Sequence, residues 1–129
     1  RGYLLQKIME TDPNAQCVGA DIAPPDIDAK FKIIKADITS LPFEDSSFDT
    51  VLCTHTLEHI RNPKKALGEL MRVAKQRLII VVPRQREYLY TPDLHINFFA
   101  YMHTFKSFIG IKDARYMNLK GDFLCQIDL

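Results

Sequence analysis

Apolar and polar residues follow two alternating spacings along the chain. Residues 3–10 and 98–109 carry apolar side chains at helical spacing, as does the segment after Asn62-Pro63, where Asn is a typical helix cap. Short apolar runs bounded by turn residues lie between them, at residues 16–21, 30–36, 48–54 and 78–82. Helices that alternate with strands predict an α/β fold with an open, mostly parallel sheet.

The composition of each run predicts its place in that sheet. Residues 78–82 are apolar on both faces and suit a central strand, whereas the lysines of residues 30–36 suit a sheet edge. Residues 114–119 and 122–129 flank Lys120-Gly121, which predicts a terminal antiparallel β-hairpin.

Polar residues at the strand ends are the first candidates for binding. Ligands of open α/β sheets lie beyond the carboxyl ends of the strands, where we expect Asp21, Asp37, Thr54, His55 and Pro83. A carboxylate such as Asp21 can accept hydrogen bonds from both hydroxyls of an adenosine ribose, although an aspartate there is as often a turn residue. Asp37 could accept from an adenine amino group.

Residues 36–60, ADITSLPFEDSSFDTVLCTHTLEHI, resemble the class I S-adenosylmethionine-dependent methyltransferases of the type 11 kind. In this region the typical sequence of the family is an acid, Leu-Pro-Phe, an acidic-Ser turn, Ser-Phe-Asp, an apolar strand and Leu-Glu-His. The similarity extends over residues 2–83, and the terminal hairpin agrees with the family's last two strands. It implies a Rossmann-like sheet with strand order 3-2-1-4-5-7-6 and S-adenosylmethionine as cofactor.

The resemblance also assigns residues to the adenosine half of the cofactor. Asp21 is expected to hold the ribose hydroxyls, and Ile22 to pack on the adenine. Asp37 is expected to meet the adenine amino group, with Ile38 beside it.

The methionine half of the cofactor is expected near Thr54 and His55 and at the family's glycine-rich loop. Gly2 corresponds to the last glycine of that loop, and the family's first strand has no counterpart in residues 1–129. The sequence is therefore interpreted as a single methyltransferase-like domain that lacks its N-terminal strand and binds the cofactor poorly by itself.

The segment after residue 83 is expected to receive the methyl acceptor. Its aromatic residues Tyr88, Tyr90 and Phe98 are candidates for the acceptor pocket, although Phe98 could simply begin the following helix. His95 is the candidate base, because an imidazole pKa near ~6.5 suits removal of a proton from an acceptor. Methyl transfer would then proceed by in-line displacement to a small molecule.

His55-Thr56-Leu57-Glu58-His59 matches the H-x-x-E-H pattern of a group of zinc hydrolases. That chemistry needs both histidines on one helix, but His55 directly follows a buried strand. Glu69 is the only third ligand that the following helix offers. We therefore expect no metal site.

Composition excludes several other classes. Seventeen Lys and Arg residues against 16 Asp and Glu residues give a net charge of +1, so neither nucleic acid nor a membrane surface is an expected partner. No apolar run approaches the ~18 residues of a membrane span. Three cysteines without close spacing predict buried reduced thiols and a cytoplasmic protein.

Two alternatives to a methyltransferase remain open from the residues. An NAD-type oxidoreductase can show the same strand-end Asp21. A non-catalytic methyltransferase-like scaffold would keep the fold without a working glycine-rich loop.

Overall fold

The computed structural model describes residues 2–26, 31–87 and 94–129. By its contacts the chain divides into two compact units, Arg1–Pro42 and Phe43–Leu129. The interpretation of the chain as a single domain stays a prediction. Tyr88 and Tyr90, two of the acceptor candidates, lie outside the described residues.

The first unit contains one helix and two parallel strands: α1 (Tyr3–Thr11), β1 (Val18–Asp21) and β2 (Lys32–Lys35). Gly19 in β1 lies under the helix, where an added Cβ would be 3.2 Å from Leu5 Cδ1 and 3.1 Å from Ile33 Cγ1. The missing side chain therefore lets α1 approach the strand pair closely.

The second unit is built on a four-stranded sheet in the order β3-β4-β6-β5. Its elements in chain order are β3 (Phe48–Thr54), a 3-10 helix (Leu57–His59), α2 (Pro63–Val73), β4 (Ala74–Pro83), α3 (Met102–Ile109), β5 (Arg115–Asn118) and β6 (Asp122–Asp128). Strands β3 and β4 are parallel, whereas β6 is antiparallel to both of its neighbours.

Both sheets fit the strand order that the resemblance implies. The pair β2-β1 corresponds to positions 3-2 of the family order, and β3-β4-β6-β5 corresponds to positions 4-5-7-6. The expected edge position of residues 30–36 and the central position of residues 78–82 are confirmed, since β2 pairs only with β1 in the described part and β4 pairs on both sides. The terminal hairpin is also confirmed, with the positive φ of its turn carried by Gly121.

The core of the second unit lies on one face of the sheet. Leu78, Ile80 and Val82 alternate along β4 with no exposed surface, and Phe123 and Cys125 do the same along β6 at 2% and 0%. Helices α2 and α3 contribute the remaining buried side chains, chiefly Ala66, Leu67, Leu70, Val73, Phe105 and Ile109. Burial of this apolar surface holds the helices on the sheet.

The acidic-Ser turn before β3 is held by Arg72 of α2. The guanidinium donates from Nη1 to the carbonyl oxygen of Phe43 at 2.7 Å and to Asp45 Oδ1 at 2.8 Å. It also binds Glu69 with two parallel bonds of 2.8 and 2.9 Å. These hydrogen bonds raise the pKa of Arg72 further, first through Glu69 and then through Asp45.

Two sequence-based expectations are wrong. The last helix begins at Met102 and not at residue 98, because the backbone of Phe99 pairs with that of Arg84 and Tyr101 is extended. Cys17 is partly exposed, whereas Cys53 and Cys125 are buried as expected. Within the described residues, every helix is too short or too polar to cross a membrane.

Candidate functional site

The carboxyl ends of β1 and β2 carry two aspartates at one sheet edge. Asp21 ends β1, and the backbone N–H of Ala36, just after β2, donates to the carbonyl oxygen of Asp21 at 2.9 Å. Asp37 therefore directly follows the residue whose N–H donates to Asp21. The predicted adenosine residues of the first unit share this edge.

One oxygen of each aspartate shapes the local turn. Asp21 Oδ1 accepts from the backbone N–H of Ala23 at 2.8 Å, and Asp37 Oδ1 accepts from the backbone N–H and the hydroxyl of Thr39, each at 2.8 Å. Asp21 Oδ2 has no hydrogen bond within the described residues. This oxygen of Asp21 is available to a ligand hydroxyl.

Ile22 and Ile38 follow the two aspartates and differ in exposure. Ile22 is 69% exposed, which is unusual for a large apolar side chain, while Ile38 is half-buried. Gly2, at the start of α1, has the left-handed φ of 81° that favours glycine. The first unit thus presents an apolar side chain beside Asp21 and a glycine turn at its helix.

Thr54 and His55, the predicted residues of the methionine end, belong to the second unit. Thr54 ends β3, and the backbone N–H of His55 donates to the carbonyl oxygen of Val81 at 3.0 Å. His55 has a φ of 48°, a strained value for a histidine, and its side chain is 51% exposed. The turn after β3 therefore leaves the imidazole accessible, with its Nε2 3.5 Å from Oδ2 of Asp122 in β6.

Glu58 appeared in the sequence only as part of the H-x-x-E-H pattern, and its complete burial was not predicted. It is 1% exposed, and neither carboxylate oxygen has a hydrogen-bond partner in the described part of the chain. An unsatisfied buried polar group costs about 1–3 kcal/mol, and more when it is charged. Two imidazole nitrogens lie near its Oε1: Nδ1 of His55 at 3.8 Å and Nε2 of His59 at 3.9 Å.

His95 lies beside this carboxylate. Its ring packs edge-on against the ring of His59, with centroids 4.6 Å apart. One ligand atom each from Glu58, His59 and His95 lie within 4.8 Å of one another. Glu69, the third ligand that the H-x-x-E-H pattern suggested, is instead engaged by Arg72.

The segment that carries His95 is fixed to the 3-10 helix through its backbone. The N–H groups of Ile96 and Asn97 both donate to the carbonyl oxygen of Glu58, at 2.8 and 2.9 Å. The Leu-Glu-His text was visible in the sequence, but the return of a distant segment onto it was not.

Phe98, the described member of the acceptor candidates, lines a cleft of about 360 Å³. The other lining residues are Glu87, Ile96, Asn97, Phe99, Thr104 and Phe108. Aromatic walls with one acid and one amide suit a small molecule of mixed polarity.

The thiol of Cys53, which directly precedes Thr54 in β3, is not a nucleophile. Burial raises the pKa of Cys53 in β3 to about 12, which keeps it protonated at neutral pH. The site's chemistry therefore lies with its carboxylates and imidazoles.

Comparison with known proteins identifies the family. The model of the methyltransferase domain family matches residues 1–82. Demethylmenaquinone methyltransferase of Renibacterium salmoninarum is 49% identical over 51 residues, which cover 40% of this chain and 20% of that protein. The enzyme of the same name from Thermus thermophilus is 35% identical over 82 residues, 56% of this chain and 37% of that protein.

A solved structure confirms the fold. A SAM-dependent methyltransferase from Archaeoglobus fulgidus superposes with a TM-score of 0.69 at 16% identity, covering 97% of this chain and 80% of that one. The chain spans 20% and 37% of the lengths of the two curated relatives. Because the family match covers well over half of the chain and both sheets follow the family's strand order, the chain belongs to the methyltransferase domain family.

Proposed function

We propose that this protein transfers the methyl group of S-adenosylmethionine to a small-molecule acceptor. The observation that carries the proposal is the position of Asp21 and Asp37 at the carboxyl ends of two neighbouring parallel strands. This is the edge at which sheets of this kind bind nucleotides.

The residues present fit the adenosine half of that cofactor. Asp21 has a free carboxylate oxygen for the ribose hydroxyls, and Ile22 offers an exposed apolar surface to the adenine. Asp37 and Ile38 are proposed to meet the amino edge of the base. Gly2, Thr54 and His55 are proposed for the methionine half.

The chain's own contribution to the reaction is positioning. When bound, the cofactor supplies an electrophilic methyl group on a sulfonium. The protein would hold an acceptor atom roughly 3–3.5 Å from that carbon and in line with the bond that breaks. Phe98 is proposed as part of the acceptor wall, and the role of His95 as a base stays a prediction.

The identity of the acceptor depends on the segment after β4. The family match ends at Val82, before this segment begins, and the cleft at Phe98 lies within it. From the relatives we therefore infer only that the acceptor is a small molecule, and we assign no particular acceptor. Three free cysteines support the proposed cytoplasmic location.

The test is calorimetric titration of S-adenosylhomocysteine into the protein in the full form that the cell produces. Asp21→Ala should weaken binding about 10–100-fold, since hydrogen bonds to a charged group contribute roughly 1.5–3 kcal/mol. Asp12→Ala is a matched control, because Asp12 Oδ1 makes the same kind of turn, accepting from the backbone N–H of Asn14 at 3.0 Å.

Each outcome decides between named alternatives. Binding that Asp21→Ala weakens and Asp12→Ala leaves intact supports the cofactor site. Tighter binding of NADH than of S-adenosylhomocysteine would favour an oxidoreductase. If neither ligand binds at millimolar concentration, the protein is a non-catalytic scaffold of the same fold.

A further inference from the structure

Glu58, His59 and His95 form a cluster in which the methyl-transfer proposal uses only His95, as a predicted base. Glu58 is buried at 1% exposure, and both of its carboxylate oxygens lack hydrogen-bond partners in the described residues. A buried carboxylate is normally paired, hydrogen-bonded or bound to a metal. Here the basic groups beside the carboxylate are imidazoles, with nitrogens of His55 and His59 at 3.8 and 3.9 Å from Oε1.

The two histidines present their free nitrogens in a way that suits a metal ligand. Nδ1 of His59 lies 3.4 Å from the carbonyl oxygen of Leu94, and Nδ1 of His95 contacts Oε1 of Gln85. A carbonyl oxygen only accepts, so these contacts suit the tautomers in which each Nδ1 carries the proton and each Nε2 keeps its lone pair for a metal. Histidine ligands of metals are commonly held by such a contact on the second ring nitrogen.

From this geometry we infer that Glu58, His59 and His95 bind a divalent transition-metal ion. Two imidazoles and one carboxylate form a ligand set typical of zinc and of non-haem iron, with further positions left for water or another oxygen. Calcium and magnesium prefer oxygen ligands alone.

The spacing of the cluster is close to what such an ion requires. With bonds of ~2.0–2.1 Å and tetrahedral angles, two ligand atoms lie about 3.3 Å apart. Nε2 of His59 and Oε1 of Glu58 are 3.9 Å apart, so a small side-chain rotation brings them into place. His55 Nδ1, 3.8 Å from the same oxygen, is the next nearest nitrogen.

This inference does not rest on the proposed methyl transfer, since the three ligands bind an ion with or without a cofactor. It assigns His95 a role different from that of a base, because an Nε2 bound to a metal cannot accept a proton.

The experiment is titration of zinc chloride into chelator-treated protein, followed by calorimetry and by the imidazole nitrogen resonances. A Cys17→Ser background removes the partly exposed thiol as a competing ligand. We expect one zinc ion per chain and shifts of the Nε2 resonances of His59 and His95. Magnesium chloride should produce neither.

Variants separate this site from adventitious binding. His59→Ala and His95→Ala should each weaken zinc binding roughly 100-fold or more, and Gln85→Ala roughly 10–100-fold. His103→Ala is the matched control, since His103 is exposed and stacks on Tyr101. Glu58→Gln keeps the shape of the side chain and should also lose the ion.

Three results would overturn the inference. They are a wild-type protein that binds no zinc at equimolar concentration, binding that survives His59→Ala and His95→Ala, and binding that His103→Ala alone abolishes. The side chain of His59 is 42% exposed and that of His95 is half-buried, so we expect both alanine variants to fold. Circular dichroism checks that they do.

Discussion

The backbone N–H of Asn97 donates to the carbonyl oxygen of Glu58 at 2.9 Å. The side chain of Asn97 extends this attachment, because its Nδ2 donates to the carbonyl oxygens of Leu57 at 2.9 Å and Ile60 at 2.7 Å. One residue thus satisfies three carbonyl groups around the 3-10 helix. Asn97 is therefore the positioning residue that keeps the His95 segment next to Glu58.

Asn97→Asp should destabilise the protein by about 2–3 kcal/mol. A carboxylate cannot donate, so the carbonyl oxygens of Leu57 and Ile60 both lose the side-chain hydrogen bond and face a negative charge, although Leu57 keeps its 3.3 Å bond from the backbone N–H of Ile60. Urea unfolding measures the change. Asn118→Asp, the same substitution at an exposed position in β5, should cost within about 0.5 kcal/mol. Equal losses in both variants would show that the two side-chain bonds of Asn97 carry no stability.

Asp128 should make stability depend on pH in the acid range. Its carboxylate accepts from Arg115, from Gln126 at 3.0 Å and from Arg77 at 3.1 Å, joining β6 to both neighbouring strands. These bonds, that of Arg115 first, hold the pKa of Asp128 well below its ordinary value. A lowered folded-state pKa gives stability above the unfolded pKa of about 3.9, which is lost as the pH falls through the folded value.

The check is the urea midpoint of the wild type and of Asp128→Asn at several pH values. The wild type should be the more stable above about pH 5, and the difference should shrink below about pH 4. High salt should reduce it, because the ion pairs are exposed. Asp113→Asn, at an exposed residue without an ion pair in the described chain, is the control. A difference that persists unchanged into acid would contradict the assignment to charge.

The three thiols should differ sharply in reactivity. Burial raises the pKa of Cys53 to about 12 and that of Cys125 to about 11, and both have at most 4% of their surface exposed. Since only the thiolate reacts, Ellman's reagent at about pH 8 should modify one thiol quickly in the native protein and three after unfolding. Cys17→Ser should remove the fast phase. Two fast equivalents in the wild type would mean that a core strand opens readily.

Local signals were enough to predict most of the fold. β3 has the predicted bounds, because a short apolar run between the polar residues Ser47 and His55 is typical of a buried strand. The hairpin at Lys120-Gly121 followed from turn chemistry, which needs a positive φ at Gly121. By contrast, Phe98 and Phe99 continued a helical spacing but lie before the helix, because Phe99 pairs through its backbone with Arg84.

The candidate site likewise contains residues that the sequence could predict and residues that it could not. Asp21 and Asp37 could be placed from the sequence, since parallel neighbouring strands end at the same sheet edge. The cluster of Glu58, His59 and His95 could not, because it depends on hydrogen bonds between segments far apart in the chain. The H-x-x-E-H pattern places both histidines on one helix, so it could not reveal a cluster that includes His95.

The start of α2 offers a measure of how much one local signal contributes. Asn62 Oδ1 accepts from the backbone N–H of Lys65 at 3.1 Å, and Pro63 occupies the first helical position. Asn62→Ala leaves that N–H without its partner and should cost about 1 kcal/mol in urea unfolding, whereas Asn62→Ser, which can still cap, should cost only a few tenths. Because α2 packs against both β3 and β4, the loss should appear in the global transition and not as local fraying. An alanine variant as stable as the serine variant would mean that water replaces the cap at this exposed position.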